Sequence, residues 1–241
     1  MRLGKFSSGL LVAAIALLST LVSTSKGEAA GPGSSQTGYD ISYPQCPSNF
    51  PRDGAFGIVG VTNGKAFSTN PCVASEYQWA AGRTRPPAFY MNTANPGPIT
   101  PNWPCADPNS YNDTSCAYSY GWNAAAYAFG LAPAGTGATH DWWLDIETAN
   151  SWNGNYTSNQ AAINGFVAYL KGQGVARVGL YSTASQWQAI TGGYNPGLPN
   201  WIAGNNTKSA SGLCGTIGFS GGQVLLAQYR AKGFDADYAC F

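Results

Sequence analysis

The chain has 241 residues, 44% hydrophobic, 13% aromatic and only 10% charged, and its 12 basic and 11 acidic residues give a formal charge of +1. Taking away residues 1–29, an expected export signal, removes three basic residues and one acidic one and turns the charge to −1. That balance offers no basic surface to nucleic acid or to an anionic membrane, and the length suits one domain or a compact barrel.

In chain order, Met1, Arg2 and Lys5 precede an apolar run from Leu10 to Val22, and Gly27 and Ala29 put small side chains where a signal peptidase reads. Residues 1–29 are therefore expected to be a secretory signal. The apolar run is shorter than the roughly 20 residues that span a bilayer, which argues against a stable membrane anchor. Residues 30–37 (AGPGSSQT) are small and polar, the composition of a flexible leader. Period-two patterning bounded by turn residues then predicts strands at Tyr39–Ser42, Phe56–Val61, Ala88–Asn92, Trp142–Glu147, Arg177–Tyr181, Trp201–Ala203, Val224–Tyr229 and Phe234–Tyr238. Helical spacing predicts Val73–Ala81, Ala117–Phe129, Ser158–Lys171 and Ala184–Ile190, the third with Thr157 and Gln160 as a capping box. Strands alternating with helices imply crossover connections and a largely parallel sheet, and this many strands suggest closure into a barrel.

All six cysteines lie beyond the signal, and an even number in an exported chain reads as disulfides. Closeness in sequence favours Cys46 with Cys72, Cys105 with Cys116, and Cys214 with Cys240. The Pro- and Asn-rich stretch Asn95–Ser115 is too long for a routine connection and reads as a stapled surface loop beside a site.

Beyond the signal only Glu76 and Glu147 are glutamates, and eight residues are aspartates. Asp40, Asp145, Glu147, Asp235 and Asp237 nonetheless all fall in or at the ends of predicted strands, so these charges are not spread over a solvated surface. On a strand Asp145 and Glu147 project the same way, with alpha carbons about 6.6 Å apart, while Leu144 and Ile146 face the opposite layer. Carboxylates held close cannot all ionise easily, so such a cluster supplies a general acid beside ionised partners, the demand of glycoside hydrolysis. The lone His140 has no G-x-S-x-G or HExxH context and reads as a structural residue, no calcium-loop pattern is present, and no metal or cofactor is called for. Tyr43, Tyr90, Trp143, Tyr181, Trp201 and Tyr229 sit on or just beyond strands, where a ring serves either as core or as a platform for a sugar face.

In order along the chain, GYDIS (Gly38–Ser42), LDIE (Leu144–Glu147), GLYST (Gly179–Thr183), NWIAG (Asn200–Gly204), AQY (Ala227–Tyr229) and GFDAD (Gly233–Asp237) resemble the strand motifs of the glycoside hydrolase family 25 (GH25) lysozymes. The resemblance implies an α/β fold, an irregular TIM-like (β/α) barrel, as a single domain over residues 38–241 with disulfide-stapled loops. It implies N-acetylmuramidase activity on peptidoglycan or another cell-envelope glycan, by a secreted monomer. Glu147 would be the general acid and then the base, and Asp145 would orient the substrate's 2-acetamido group or act as nucleophile. Asp40 and Asp235 would complete the catalytic set, with Tyr181, Trp201, Tyr90, Asp237 and Gln228 on the substrate. The chain departs from the family at VTNGKAF (Val61–Phe67), with Asn63 near the usual acidic position, and at FYMNTANPG, which lacks the usual histidine and aromatic. These departures keep two other readings open, a hydrolase of a different envelope polysaccharide and a non-catalytic polysaccharide-binding barrel.

Overall fold

Residues 36–205 and 210–241 are described by a computed structural model; the expected signal and most of the leader lie outside the described residues. Eight strands close into a barrel in chain order: β1 (Thr37–Ile41), β2 (Gly57–Gly60), β3 (Ala88–Asn92), β4 (Asp141–Asp145), β5 (Val178–Ser182), β6 (Asn200–Asn205), β7 (Val224–Ala231) and β8 (Phe234–Ala239). Neighbours from β1 to β7 run parallel, as alternating strands and crossovers demand. The last strand breaks that pattern. A tight hairpin at Lys232 and Gly233, both at positive φ, turns β8 back so that it runs antiparallel to both β7 and β1. Among the described residues four α-helices, α1 (Val73–Ala81), α2 (Thr114–Phe129), α3 (Tyr156–Gly172) and α4 (Ala184–Thr191), follow β2 to β5. The helical jacket therefore covers one side of the barrel. No helix among the described residues is long and apolar enough to cross a membrane.

Alternation along the strands builds two cores. Outward residues such as Val59, Phe89, Met91, Trp142, Leu144 and Leu180 pack beneath the helices, while Ile58, Trp143, Trp201 and Leu226 fill the barrel interior. Trp143 meets Trp201 edge to face with ring centroids 5.9 Å apart. Trp143 has room only because β5 carries a glycine beside it: a Cβ at Gly179 would stand 2.2 Å from its ring. Outside the barrel, α2 and α3 approach so closely that a Cβ at Gly121 would lie 2.0 Å from the Ala162 carbonyl oxygen and one at Gly165 2.0 Å from that of Tyr118.

Helix starts follow their caps. Asp113 accepts from the Ser115 and Cys116 amides at 2.8 and 3.2 Å, and Thr183 from Gln186 at 3.2 Å. The Thr157–Gln160 box expected for α3 does not form, because the helix begins earlier, with Asn155 as cap accepting from the Ser158 amide at 2.9 Å. Removing that acceptor orphans an amide at the helix start, so Asn155→Ala is expected to cost about 1 kcal/mol in urea unfolding. The structure joins Cys46 to Cys72, Cys105 to Cys116 and Cys214 to Cys240, the pairs that sequence proximity favoured. The second bridge ties the 95–115 loop to the first turn of α2. That loop is not purely surface, since Asn95 and Trp103 are buried in it.

Candidate active site

The acidic residues gather at the mouth formed by the C-terminal ends of the parallel strands, where α/β barrels place their chemistry. The antiparallel course of β8 brings its beginning to that mouth, so Asp235 stands opposite Asp40 in the β1–β8 register. Asp237, two residues on, drops one layer deeper opposite Gly38. Asp145 ends β4, with Asn92 of β3 on one side and Tyr181 of β5 on the other. Glu147 is not on the strand, as its pattern predicted, but two residues beyond it. The Ile146 amide still bonds the Tyr181 carbonyl at 2.9 Å, carrying the strand's course forward, and the Glu147 carbonyl is pinned by the Trp152 indole and the Asn150 amide at 2.9 and 3.0 Å. Asp40, Tyr90, Asp145, Glu147, Tyr181, Trp201, Gln228 and Asp235 line one pocket of about 190 Å³.

Two carboxyl pairs organise it. Asp145 is buried; its Oδ2 accepts a short hydrogen bond from the Asn92 amide, and Thr62 holds Asn92 in place by donating to its side-chain oxygen at 2.8 Å. The other oxygen, Oδ1, is buried with no hydrogen-bond partner among the described residues, and Glu147 lines the same pocket. Burial, and then the charge of Glu147, push Asp145 well above the usual carboxylate range, against the pull of Asn92. The second pair is Asp40 with Asp237. Burial and then the charge of Asp235 raise Asp40 to about 7, opposed by the Gln228 amide, which donates at 2.9 Å. Asp237 is driven higher by burial and by the charge of Asp40, with the Trp201 indole donating to it at 2.7 Å. Tyr181 donates to Gln228 at 2.8 Å, which completes a chain from Tyr181 through Gln228 to Asp40. Burial raises the Tyr90 and Tyr181 phenols, so both remain donors. The apolar floor of Trp143 and Trp201 is what desolvates the cluster.

The sequence placed Asp237 on substrate, but it is fully buried below the pocket floor, held by the indole of the wall residue Trp201. Trp201 is buried as well and contributes a wall to the pocket. Of the other strand aromatics, Trp143 is barrel core, Tyr229 packs with Tyr39 and Ala227 in a separate cluster, and Tyr43 is exposed. His140 bonds the Thr136 carbonyl at 3.0 Å in a turn before β4, a structural residue as expected. Asn92 was missed. Its one signal was a polar residue closing an otherwise apolar strand.

A family model described as Lysozyme-like protein 1 matches residues 131–212. “Probable GH family 25 lysozyme 4” of Dictyostelium discoideum is 33% identical over 107 residues, 44% of this chain and 43% of that protein. “Probable GH family 25 lysozyme 2” of the same organism is 44% identical over 63 residues, 25% of this chain and 29% of its own. The matched stretches thus span less than half the length of these relatives. In fold, a GH25 lysozyme from Aspergillus fumigatus is similar with a TM-score of 0.57 at 18% identity, over 85% of this chain and 93% of that one. A bacterial lysozyme from Streptomyces coelicolor gives 0.57 at 20% identity, over 85% and 91%. Local identity in sequence and likeness of the whole barrel point the same way: part of the chain is similar in sequence to GH25 lysozymes, and its barrel shares the fold of lysozyme structures.

Proposed function

We propose that the protein is a secreted, retaining glycoside hydrolase that acts as a monomer on peptidoglycan, cutting the β-1,4 bond between N-acetylmuramic acid and N-acetylglucosamine. The observation that carries this reading is the meeting of the buried Asp145 with Glu147 in one pocket at the barrel mouth, where burial and the charge of Glu147 hold Asp145 well above the usual carboxylate range. A binding module has no need to hold two like charges together in one cleft. Moving a proton from Asp145 to Glu147 creates both parts of the machinery at once. Glu147 becomes the acid that protonates the leaving glycosidic oxygen, and Asp145 becomes an anion set against the positive charge that develops at the anomeric carbon. Asn92 favours this transfer because its amide stabilises the Asp145 anion. As the leaving oxygen departs, the anomeric carbon bonds to Asp145 or to the substrate's own 2-acetamido oxygen oriented by Asp145. Glu147, then ionised, takes a proton from the water that opens this intermediate and is returned to its acid form. Two residues apart at one strand end, these carboxyls meet in a single small pocket, which supports retention. Asp40, Gln228 and Tyr181 position the sugar from the far wall, and Asp235 flanks them at the rim with Arg230 on its carboxylate at 2.7 Å.

Asn92 and Thr62, bonded to each other beside Asp145, stand where the chain departs from the family motifs, and this favours a second reading, a hydrolase of another envelope polysaccharide. The two readings separate in one experiment. The protein lacking residues 1–29 is incubated with purified peptidoglycan and with other envelope glycans, and the newly formed reducing-end sugar is identified by mass spectrometry. N-acetylmuramic acid at the new end is the expected product; cleavage of another glycan alone selects the second reading, and no cleavage of any overturns both.

A further inference from the structure

The outer face of α2 carries no charge: none of the 16 residues of Thr114–Phe129 is acidic or basic. Surface helices ordinarily present charged residues to solvent. Here the exposed positions are Thr114, Ser115, Tyr118, Trp122, Asn123 and Tyr127, a set of hydroxyls, one amide and aromatic rings. A spacing of four residues puts Tyr118 and Trp122 one above the other on the helix. Their rings lie within 27° of parallel, with centroids 6.3 Å apart. Tyr169 of α3 stands edge-on against Trp122 at 5.3 Å, and Phe129 braces Tyr169 at 5.9 Å. The backbone beneath is equally fixed, because Gly165 of α3 sits hard against the Tyr118 carbonyl and the Trp122 amide. The Trp122 indole N–H makes no hydrogen bond to any described residue.

We infer that Tyr118 and Trp122 form a second glycan-binding surface on the outer wall of the barrel, one that takes the uncharged pyranose rings of an N-acetylhexosamine polymer. The ring faces supply stacking area, the Trp122 N–H and the Asn123 amide supply hydrogen bonds, and the braced geometry lowers the entropy of binding. The occupant follows from the chemistry. A lipid surface with anionic headgroups needs a basic cluster, and Lys171 is the one cation on α2 and α3. A second copy of the chain needs on the order of 1,000 Å² of contact, far more than two rings offer. A neutral sugar chain needs ring faces and donors, which is what the helix presents. The inference rests on the glycan substrate proposed above, and its role is to hold the protein on an insoluble polymer while the carboxylate pocket works.

The test uses Tyr118→Ala and Trp122→Ala, singly and together, with circular dichroism to verify that the helices persist. Retention is measured on insoluble peptidoglycan and on chitin beads, and turnover on a short soluble oligosaccharide. The double variant should be retained about tenfold less or weaker still on both polymers, with soluble turnover unchanged, and Tyr118→Phe with Trp122→Phe should fall between it and the wild type, because stacking faces remain while the Trp122 N–H is lost. Unchanged retention on both polymers overturns the inference, as does a wild-type dimer in light scattering that the double variant abolishes. Retention is read without any cleavage. A protein that cleaves neither polymer yet loses retention with its rings defeats the peptidoglycan reading and leaves this surface standing.

Discussion

Glu147→Gln is expected to lower glycan turnover by about 10²-fold or more while leaving the melting temperature where it is. Glutamine keeps the length of the side chain and can still meet Asp145, but it neither delivers nor retrieves a proton. Glu147 lies in coil beyond β4 and is held through its backbone carbonyl, so the exchange leaves those two hydrogen bonds in place. Asp145→Asn removes the anion that faces the developing cation and is expected to slow turnover by a comparable factor. It also sets two amides, Asn92 and the new one, against each other in a buried position, so its melting temperature must be measured before its rate is interpreted. Binding of the glycan should survive Glu147→Gln, since the pocket walls are untouched. A Glu147→Gln protein that cleaves as fast as the wild type would remove the Asp-Ile-Glu sequence from the chemistry and leave it as the polar end of a buried strand.

Glu76→Gln should stabilise the protein above neutral pH by about 3 kcal/mol. Glu76 is fully buried on α1, with the Asn70 amide donating to Oε2 at 2.7 Å and nothing bonded to Oε1. Burial raises its carboxyl from 4.5 to about 7, an effect that the Asn70 hydrogen bond only partly offsets. The folded protein therefore keeps a proton there that the unfolded chain has already released. Stability falls as pH rises between those two values and levels off once the folded carboxyl has ionised. Glutamine imitates the protonated side chain at every pH. The difference in unfolding free energy between variant and wild type should be near zero at pH 4 and climb through pH 5 to 8, and a flat difference across that range would contradict the assignment. The other raised carboxyls cancel in this comparison because both proteins carry them.

Much of this fold is written locally. β3 and α1 keep the bounds that periodicity assigned, since Pro86 and Pro87 block entry to the strand and Gly82 closes the helix. α3 began two residues before its predicted start because a cap is chosen by which side chain reaches an amide, and Asn155 and Thr157 are both good caps on paper. Alternation told which face each carboxylate occupies, which was enough to bring Asp40, Asp145, Glu147 and Asp235 into one pocket. It could not tell depth. Asp235 and Asp237 share a face, yet one lines the mouth and the other is sealed, and the difference arises from the direction of β8, which no period-two pattern encodes. Asn92 was illegible for a similar reason. Its importance comes from standing beside Asp145 in a parallel register between strands 53 residues apart.

The pairing of β8 with β1 has a consequence in time as well as in space. It joins Thr37 to Tyr238, and the Gln228–Asp40 bond closes a separation of 188 residues, so this seam is among the most non-local contacts the chain makes. The entropy of closing so large a loop must be met before the contact gives anything back, which places the seam late in assembly. Asp40 waits there for Asp235, Asp237 and Gln228. A nascent chain can form the β3–β4 register and bring Asn92 to Asp145 while its last dozen residues are still in the ribosome, yet it has only half a cleft. β8 must be in place before the cleft has its second wall, and a wall-cutting activity of the kind proposed is thereby withheld from every copy that lacks that strand.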